Sequence, residues 1–399
     1  MKTVGIVAEY NPIHSGHIHQ LSTLRAEGYT HIAVAMSGNF VQRGECAAFT
    51  KFARAELAIK SGADLVIEIP TPYAMSTAER FAMGSVWLLK NVGVGYLSFG
   101  SECGNIALLK DCARAVDDAC VNERLREYLS DGTTFVRARQ RAISDVYSDK
   151  IANVLSSPNN TLGIEYMRAI ARLGAGIEPT TIQRRGADHD TDELLEHISA
   201  SAVRKAFNSG KDDILKEYLP EYIYTKLKAE QKEGRIYSPK ALDRVILSRL
   251  RLMEREDFLR LADVSEGLEN RIMSAIRSSN SFDELLFNTK SKRYTLARLR
   301  RIYMCAFLGI TADFYDNLPP YARILAMNER GKDLLAVAKK TSEIPINSSL
   351  KKLSESSEIA NKFAKKELEC SNIYSTLTER VMPYGFDLLQ KLIVYNEHR

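Results

Sequence analysis

Val4-Gly5-Ile6-Val7-Ala8-Glu9-Tyr10-Asn11-Pro12-Ile13-His14-Ser15-Gly16-His17 is the stretch on which the fold turns. Residues 4–8 form a short β-branched run of the kind that makes a buried strand. Glu9, Tyr10 and Asn11 follow at once, and residues 15–27 read as a helix entered through His14-Ser15-Gly16. A strand that turns straight into a helix leaves the first helical N–H groups unpaired, where they attract phosphate. Two imidazoles three residues apart share one helix face and can donate to phosphoryl oxygens. Gly16 has no Cβ, so a nucleotide base can lie against its backbone. The plainer alternative is a polar strand–helix turn with incidental histidines, and the position after the first strand argues against it.

The pattern continues outward from this turn. Residues 31–36 predict a second buried strand ending in Ser37-Gly38-Asn39, and residues 50–61 a helix with Thr50 as N-cap and Gly62 beyond its end. Residues 65–69 read as a third strand stopped by Pro70, residues 76–91 as a helix, and residues 96–99 as a fourth strand closed by Gly100. Short apolar strands alternating with helices predict a parallel sheet covered on both faces. Ligands on such sheets bind beyond the carboxyl ends of the strands. Residues 105–150 look like charged helices of the kind an insertion would carry, and Ser156-Ser157-Pro158-Asn159-Asn160 is a turn into a helix through Arg172. Residues 179–183 offer a fifth strand, before a polar loop and a helix over 199–208. From about residue 215 onward leucine-rich helical periodicity prevails. The expectation is an α/β domain over residues 1–214, followed by an all-α, basic domain over residues 215–399.

The bulk properties predict two or three domains, since 399 residues exceed one ordinary core. No run reaches the roughly 18 apolar residues of a membrane span, and Glu9 and Tyr10 arrive too early for a signal peptide. Cys46, Cys103, Cys112, Cys120, Cys305 and Cys370 contain no CxxC pair. That implies reduced thiols and a cytoplasmic protein rather than a disulfide frame. Lys plus Arg stand against Asp plus Glu at 24 to 26 in residues 1–220 and 31 to 24 in residues 221–399. The second half therefore permits a polyanionic partner.

Three further constellations carry chemistry. Ile198-Ser199-Ala200-Ser201-Ala202-Val203-Arg204 opens a helix with two hydroxyls and an arginine able to grip a triphosphate. Lys290-Ser291-Lys292-Arg293-Tyr294-Thr295-Leu296-Ala297-Arg298-Leu299-Arg300-Arg301 holds six cations, no acid and one aromatic ring, which suits RNA contact. The alternative there is a solvated basic helix face. His14, His17 and His19 could hold a metal only with a ligand from another element, for which His189, between Asp188 and Asp190, is the obvious candidate. No metal held by this histidine cluster is expected. Lys51, Arg54 and Lys60 read as structural, with a phosphate role open to Lys51.

HxGH followed by a late ISxSxxR-type segment resembles the HIGH nucleotidyltransferases. Four segments are similar to the bacterial tRNA(Met) cytidine acetate ligase family: residues 9–17, Ser37-Gly38-Asn39-Phe40-Val41-Gln42-Arg43-Gly44, Phe99-Gly100-Ser101-Glu102, and Ser157-Pro158-Asn159-Asn160-Thr161-Leu162-Gly163. The surroundings of Thr295 give a fifth. Ile13 and Cys46 depart from the family's expected phenylalanine and proline.

The resemblance implies a Rossmann-like HIGH nucleotidyltransferase fold. It also implies a ligase that activates acetate as acetyl-adenylate with ATP, accompanied by Mg2+, and acetylates the wobble cytidine of elongator tRNA(Met) to N4-acetylcytidine. No obligate protein partner and no membrane are expected. The implied ATP contacts are Val7, Ala8, Glu9, Tyr10, Asn11, Pro12, Ile13, His14, Ser15, Gly16, His17, Ile18, His19, Gln20, Gly100, Asn159 or Asn160, and Arg184 with Arg185. Asn160 is favoured for lying closer to the helix start. His14, His17, Ser199, Ser201 and Arg204 are the expected catalytic set, and Lys290, Lys292, Arg293, Arg298, Arg300 and Arg301 the expected RNA contacts. Rival readings are adenylylation of a small phosphorylated metabolite, disfavoured by the large basic second half, and an RNA-binding protein with a relict nucleotide fold, disfavoured by the intact histidines.

Overall fold

The computed structural model describes residues 1–184, 198–264 and 267–396. Its strands, in chain order, are β1 (Thr3–Ala8), β2 (His31–Ser37), β3 (Phe40–Val41), β4 (Glu45–Cys46), β5 (Leu65–Ile69), β6 (Tyr96–Ser101), β7 (Glu178–Gln183), β8 (Ala322–Met327), β9 (Ile346–Asn347) and β10 (Ile393–Val394). The main sheet runs β10-β8-β5-β2-β1-β6-β7, with β9 beside β8; β3 and β4 form a separate hairpin. Every pair among β5, β2, β1, β6 and β7 is parallel. All residues of β2 and β5 are buried, as expected of strands covered by helices on both faces. The chain builds outward from β1 to β2 and β5, then returns to place β6 on its other side. That reversal opens a crevice at the carboxyl ends of β1 and β6.

Helices dominate the C-terminal half, as expected, but it is not wholly helical. β8 pairs antiparallel with β5, so the sheet draws on both sides of residue 214. Ala322-Arg323-Ile324-Leu325-Ala326-Met327 shows no period-2 alternation because five of its six residues are buried, and a short, mostly apolar run cannot be told from a helix turn by periodicity. Pro319 and Pro320, just before it, are the breakers that could have marked it.

Beneath the junction lies a cluster of five charged groups, each at most 4% exposed. Lys51 opens helix α2 (Lys51–Lys60), and its Nζ reaches Glu68 and Asp387 at 2.5 Å each and Glu367 at 3.4 Å. Arg323, which faces Glu68 across the β5–β8 pair, bonds Glu68 at 3.1 Å and Asp387 at 2.5 Å. Lys51 is therefore a structural cation, and its position excludes the phosphate role left open by the sequence. Two cations face three carboxylates, so one proton is favoured inside the cluster. Burial, followed by the nearby Glu367 charge, pushes the Glu68 carboxyl up to about 7. Lys51 and Arg323 hold Asp387 well below its ordinary range despite burial.

Glu68 keeps a proton in the folded state that the unfolded chain releases near its ordinary value. Its contribution to stability is complete below about pH 4.5 and is lost as pH rises towards 7. Denaturation series across pH 5 to 7.5 should show wild-type stability falling by roughly 2–3 kcal/mol from this group. Glu68→Gln should flatten that segment of the profile. An unchanged slope in the variant would show that the proton resides elsewhere.

Candidate active site

The turn between β1 and helix α1 (Ser15–Ala26) is built by its two histidines. His14 is the N-cap, and its Nδ1 accepts from the Gly16 N–H at 3.1 Å; the His14 N–H in turn donates to His17 Nδ1 at 3.3 Å. Each Nδ1 is thus an acceptor, which assigns the proton of each neutral ring to Nε2. Desolvation holds His17 well below the usual histidine range, and the neighbouring Arg184 charge adds to the effect, so it is neutral at physiological pH. The rings lie 3.9 Å apart, centroid to centroid. The arrangement is a pair of neutral Nε2–H donors at a helix N-terminus, suited to phosphoryl oxygens. A Cβ on Gly16 would meet His14 Cε1 at 3.1 Å and Nδ1 at 3.3 Å. A side chain at this position would crowd the His14 ring.

The turn preceding the histidines is strained and clamped. Tyr10 has φ of +44°, uncommon for a bulky residue, yet its side chain is 1% exposed and its ring packs edge-on against His17. Arginines hold the carbonyls on either side. Arg54, fully buried on α2, donates to the carbonyls of Glu9, Ser37, Gly38 and Phe49. Arg204 donates to the Asn11 carbonyl at 2.7 Å. Asn11 Oδ1 accepts from the Ala48 N–H at 2.7 Å, and Glu9 Oε1 from the Gln42 N–H at 3.0 Å. Burial raises the Glu9 carboxyl, a shift the Gln42 bond opposes. Arg54 was read from the sequence only as structural; its role in holding two strand ends has no local signal.

The opposite wall comes from β6 and the helix Pro158–Arg172. A Cβ on Gly100 would meet Arg184 Cγ at 3.1 Å, so the arginine stem lies over this glycine while its charge acts on His17. Glu102 accepts from the Asn159 N–H at 3.2 Å, the Asn159 amide at 2.7 Å and the Asn160 N–H at 2.8 Å. Asn160 Oδ1 accepts from the N–H groups of Glu102 and Cys103, and its amide donates to the Val154 carbonyl. Asn160 is buried, and its side chain holds the loop. Asn159 is half-buried at the same place. Glu102, quoted in a motif but given no role, is the missed residue that joins the two motifs.

The remaining expected residues fall as follows. Val7 and Ala8 end β1; Gln20 ties α1 to β6 through Ser98 at 3.4 Å; Ser15 and Ile18 are half-buried and His19 is exposed. Pro12 and Ile13 are buried, Ile13 wholly in the core, so its departure exchanges one apolar residue for another. Ser199 caps the helix Ala200–Asn208, Ser201 is exposed on its first turn, and Arg204 on the same helix reaches the HxGH turn. Arg185 and His189 lie outside the described residues. Among the described residues no three His, Cys, Asp or Glu side chains gather as metal ligands. All six cysteines are free, and burial raises Cys46, Cys112, Cys305 and Cys370, so none of these four is poised as a thiolate.

The basic stretch divides in two. Lys290, Lys292 and Arg293 are exposed. Arg298 donates to the Asp263 carbonyl at 2.8 Å and lies over the Tyr294 ring, Arg300 pairs with Glu45 at 2.6 Å, and Arg301 lies 3.7 Å from Asp263. These three half-buried arginines pack the helix Leu296–Leu308 onto its neighbours.

A family model described as HIGH Nucleotidyl Transferase matches residues 1–385. The chain is 36% identical over 398 residues to the tRNA(Met) cytidine acetate ligase of Alkaliphilus metalliredigens (strain QYMF), covering 94% of both chains. It is 38% identical over 405 residues to the protein of that name from Thermoanaerobacter sp. (strain X514), covering 98% of this chain and 100% of the relative. The crystal structure of Thermotoga maritima TmcAL bound with alpha-thio ATP superposes with a TM-score of 0.92 at 30% identity, covering 99% of this chain and 100% of that one. The apo form of the same protein superposes at 0.93.

The seating of His14 against Gly16 makes Gly16→Val a sharp test. The variant should keep its helical circular dichroism and lose at least tenfold in nucleoside triphosphate affinity by calorimetry. Wild-type affinity would place the nucleotide away from this turn.

Proposed function

The chain belongs to the HIGH nucleotidyltransferases and, within them, to the tRNA(Met) cytidine acetate ligases, and from this premise we propose how its own residues serve that reaction. Acetate and ATP give acetyl-adenylate and pyrophosphate, and the N4 amine of the wobble cytidine of elongator tRNA(Met) then takes the acetyl group, releasing AMP and forming N4-acetylcytidine. The observation that carries the reading is the pair of neutral Nε2–H donors at the α1 N-terminus, flanked by Arg184 and Arg204.

A carboxylate cannot acylate an amine until its oxygen becomes part of a good leaving group, and adenylation accomplishes that. The acetate oxygen attacks the α-phosphorus and the α–β bridging oxygen leaves with pyrophosphate. His14 and His17 donate to oxygens whose charge grows in that step, and Arg184 and Arg204 supply fixed positive charge. Ser199 and Ser201 offer hydroxyl donors from the Arg204 helix. Asn159 and Gly100 line the nucleotide's other side, with Asn160 and Glu102 holding them. No protein thiol takes part. Mg2+ would travel with the triphosphate; Glu102 is occupied with its helix, so the described residues do not fit a metal cage, and no step is assigned to the ion.

The division of labour we infer is nucleotide chemistry in residues 1–214 and tRNA contact in residues 215–399. Lys290, Lys292 and Arg293 are the RNA-facing members of the basic stretch; Arg298, Arg300 and Arg301 support them. A tRNA substrate would place the enzyme in the cytoplasm.

Two outcomes test this reading. With acetate, ATP and tRNA(Met), chromatography should find AMP and pyrophosphate alongside N4-acetylcytidine by nucleoside mass spectrometry; ADP and free phosphate would instead indicate an acyl-phosphate. Joint replacement of Lys290, Lys292 and Arg293 by alanine should weaken tRNA binding about tenfold or more at moderate salt and flatten its salt dependence, since each lost phosphate contact removes about one counterion from the slope. ATP affinity should stay put. Binding unchanged across several salt concentrations would relegate the stretch to a solvated face.

A further inference from the structure

The hairpin after β2 carries the motif Val41-Gln42-Arg43-Gly44-Glu45, to which the reaction described above gives no part. Its tip touches both halves of the molecule. On one side, the Gln42 N–H donates to Glu9 Oε1 at 3.0 Å and the Gln42 amide to the Ser76 carbonyl at 3.1 Å. Glu9 immediately precedes the strained turn that leads to His14 and His17. On the other side, Gly44 has φ of +74°, and a Cβ there would lie 2.7 Å from Arg301 N and 2.9 Å from Arg300 C. Only glycine permits the hairpin to press directly on the helix backbone that follows Lys290, Lys292 and Arg293. The Glu45–Arg300 pair at 2.6 Å closes the contact.

Arg43 stands between these two anchors. It is exposed, and among the described residues no hydrogen bond or ion pair engages its guanidinium, whereas Gln42 and Glu45 on either side are both occupied. Its charge reaches the Glu9 carboxyl. An arginine on a wandering loop would be ordinary solvated surface. This one sits on a backbone held at Glu9, Ser76 and the Arg300–Arg301 peptide, so its reach is restricted to the seam between the nucleotide turn and the basic stretch. Arginine's planar fork is matched to phosphate oxygens.

We propose that Arg43 is a positioning residue for acetyl transfer, binding a backbone phosphate of the tRNA beside the target cytidine and bringing its N4 amine to the acetyl-adenylate. The inference rests on the tRNA acetylation reading and adds to it the residue that couples the two halves. Arg43 touches neither ATP nor the reacting atoms; it fixes where the RNA lies.

The test uses the full-length enzyme and its Arg43→Ala and Arg43→Lys variants. Acetate-dependent ATP–pyrophosphate exchange without tRNA reads adenylation, and acetyl transfer to tRNA(Met) at several salt concentrations reads the second step. Arg43→Ala should keep exchange within about twofold of wild type while kcat/KM for tRNA falls tenfold or more and the salt slope of tRNA binding shrinks by about one. Arg43→Lys should recover part of the loss, because the charge remains without the fork. Transfer and salt slope at wild-type values in Arg43→Ala overturn the inference, and so does a loss of exchange equal to the loss of transfer, which would place Arg43 on ATP. A wild-type enzyme that acetylates no tRNA would overturn the functional reading and this inference with it, a result distinct from either of those.

Discussion

The grip of Arg54 and Arg204 on the carbonyls of Glu9 and Asn11 is the constraint on which the crevice depends. Between those carbonyls Tyr10 is forced to positive φ, at a cost on the order of 1–3 kcal/mol. A hydrogen bond with a charged partner contributes about 1.5–3 kcal/mol, so two of them are enough to hold the turn. Burial lowers Arg54 to about 10, which still leaves it charged under physiological conditions. It cannot be replaced by an apolar residue of similar size, because four carbonyls would lose their donor at once. The direction of α1, the facing of the two imidazoles and the reach of Arg204 all follow from this one turn.

The buried ion cluster does the corresponding work on the other side of β2. Arg323 and Asp387 come from the C-terminal half, whereas Lys51 and Glu68 come from the N-terminal half, and Lys51 is only three residues before Arg54 on the same helix. Helix α2 therefore presents one cation to the nucleotide turn and another to the C-terminal segments. Any displacement of those segments would leave carboxylates buried without partners, which is strongly unfavourable. The C-terminal half is in this sense part of the sheet's foundation as well as the bearer of the basic stretch.

Much of the fold could be read in the sequence because its determinants are local. β1, β2, β5, β6 and β7 are apolar or β-branched runs with turn residues at their ends, and the capped starts of α1 and α2 carry His14 and Thr50 at the expected places. β8 could not be read, because burial on both faces removes the alternation that identifies a strand. The strand–turn–helix at HxGH was legible for the same local reasons, and Arg204 of the paired motif reaches that turn. What was illegible depends on partners distant in sequence. Arg54 lies 45 residues from Glu9, and Arg204 lies 193 from Asn11. Nothing near Asn160 in sequence reveals that its amide is already committed to Glu102, Cys103 and Val154. Likewise nothing near Arg298, Arg300 and Arg301 in sequence shows that Asp263 and Glu45 stand beside them.

The protonation of the two imidazoles bears on how such a site would discriminate between ground and transition states. A cationic histidine pair would attract the resting triphosphate as strongly as the pentavalent phosphorus, and binding both equally does nothing for the chemical step. Neutral Nε2–H donors would bind a resting phosphate modestly, and their hydrogen bonds would strengthen as negative charge built on a departing pyrophosphate. Their backbone partners keep the donor on Nε2 without recruiting a proton from solvent: the Gly16 N–H for His14 and the His14 N–H for His17. Desolvation, with the nearby Arg184 charge, then prevents His17 from becoming charged. The tautomer of each imidazole is thus set by a backbone N–H of the same turn, and His17 also packs edge-on against the Tyr10 ring.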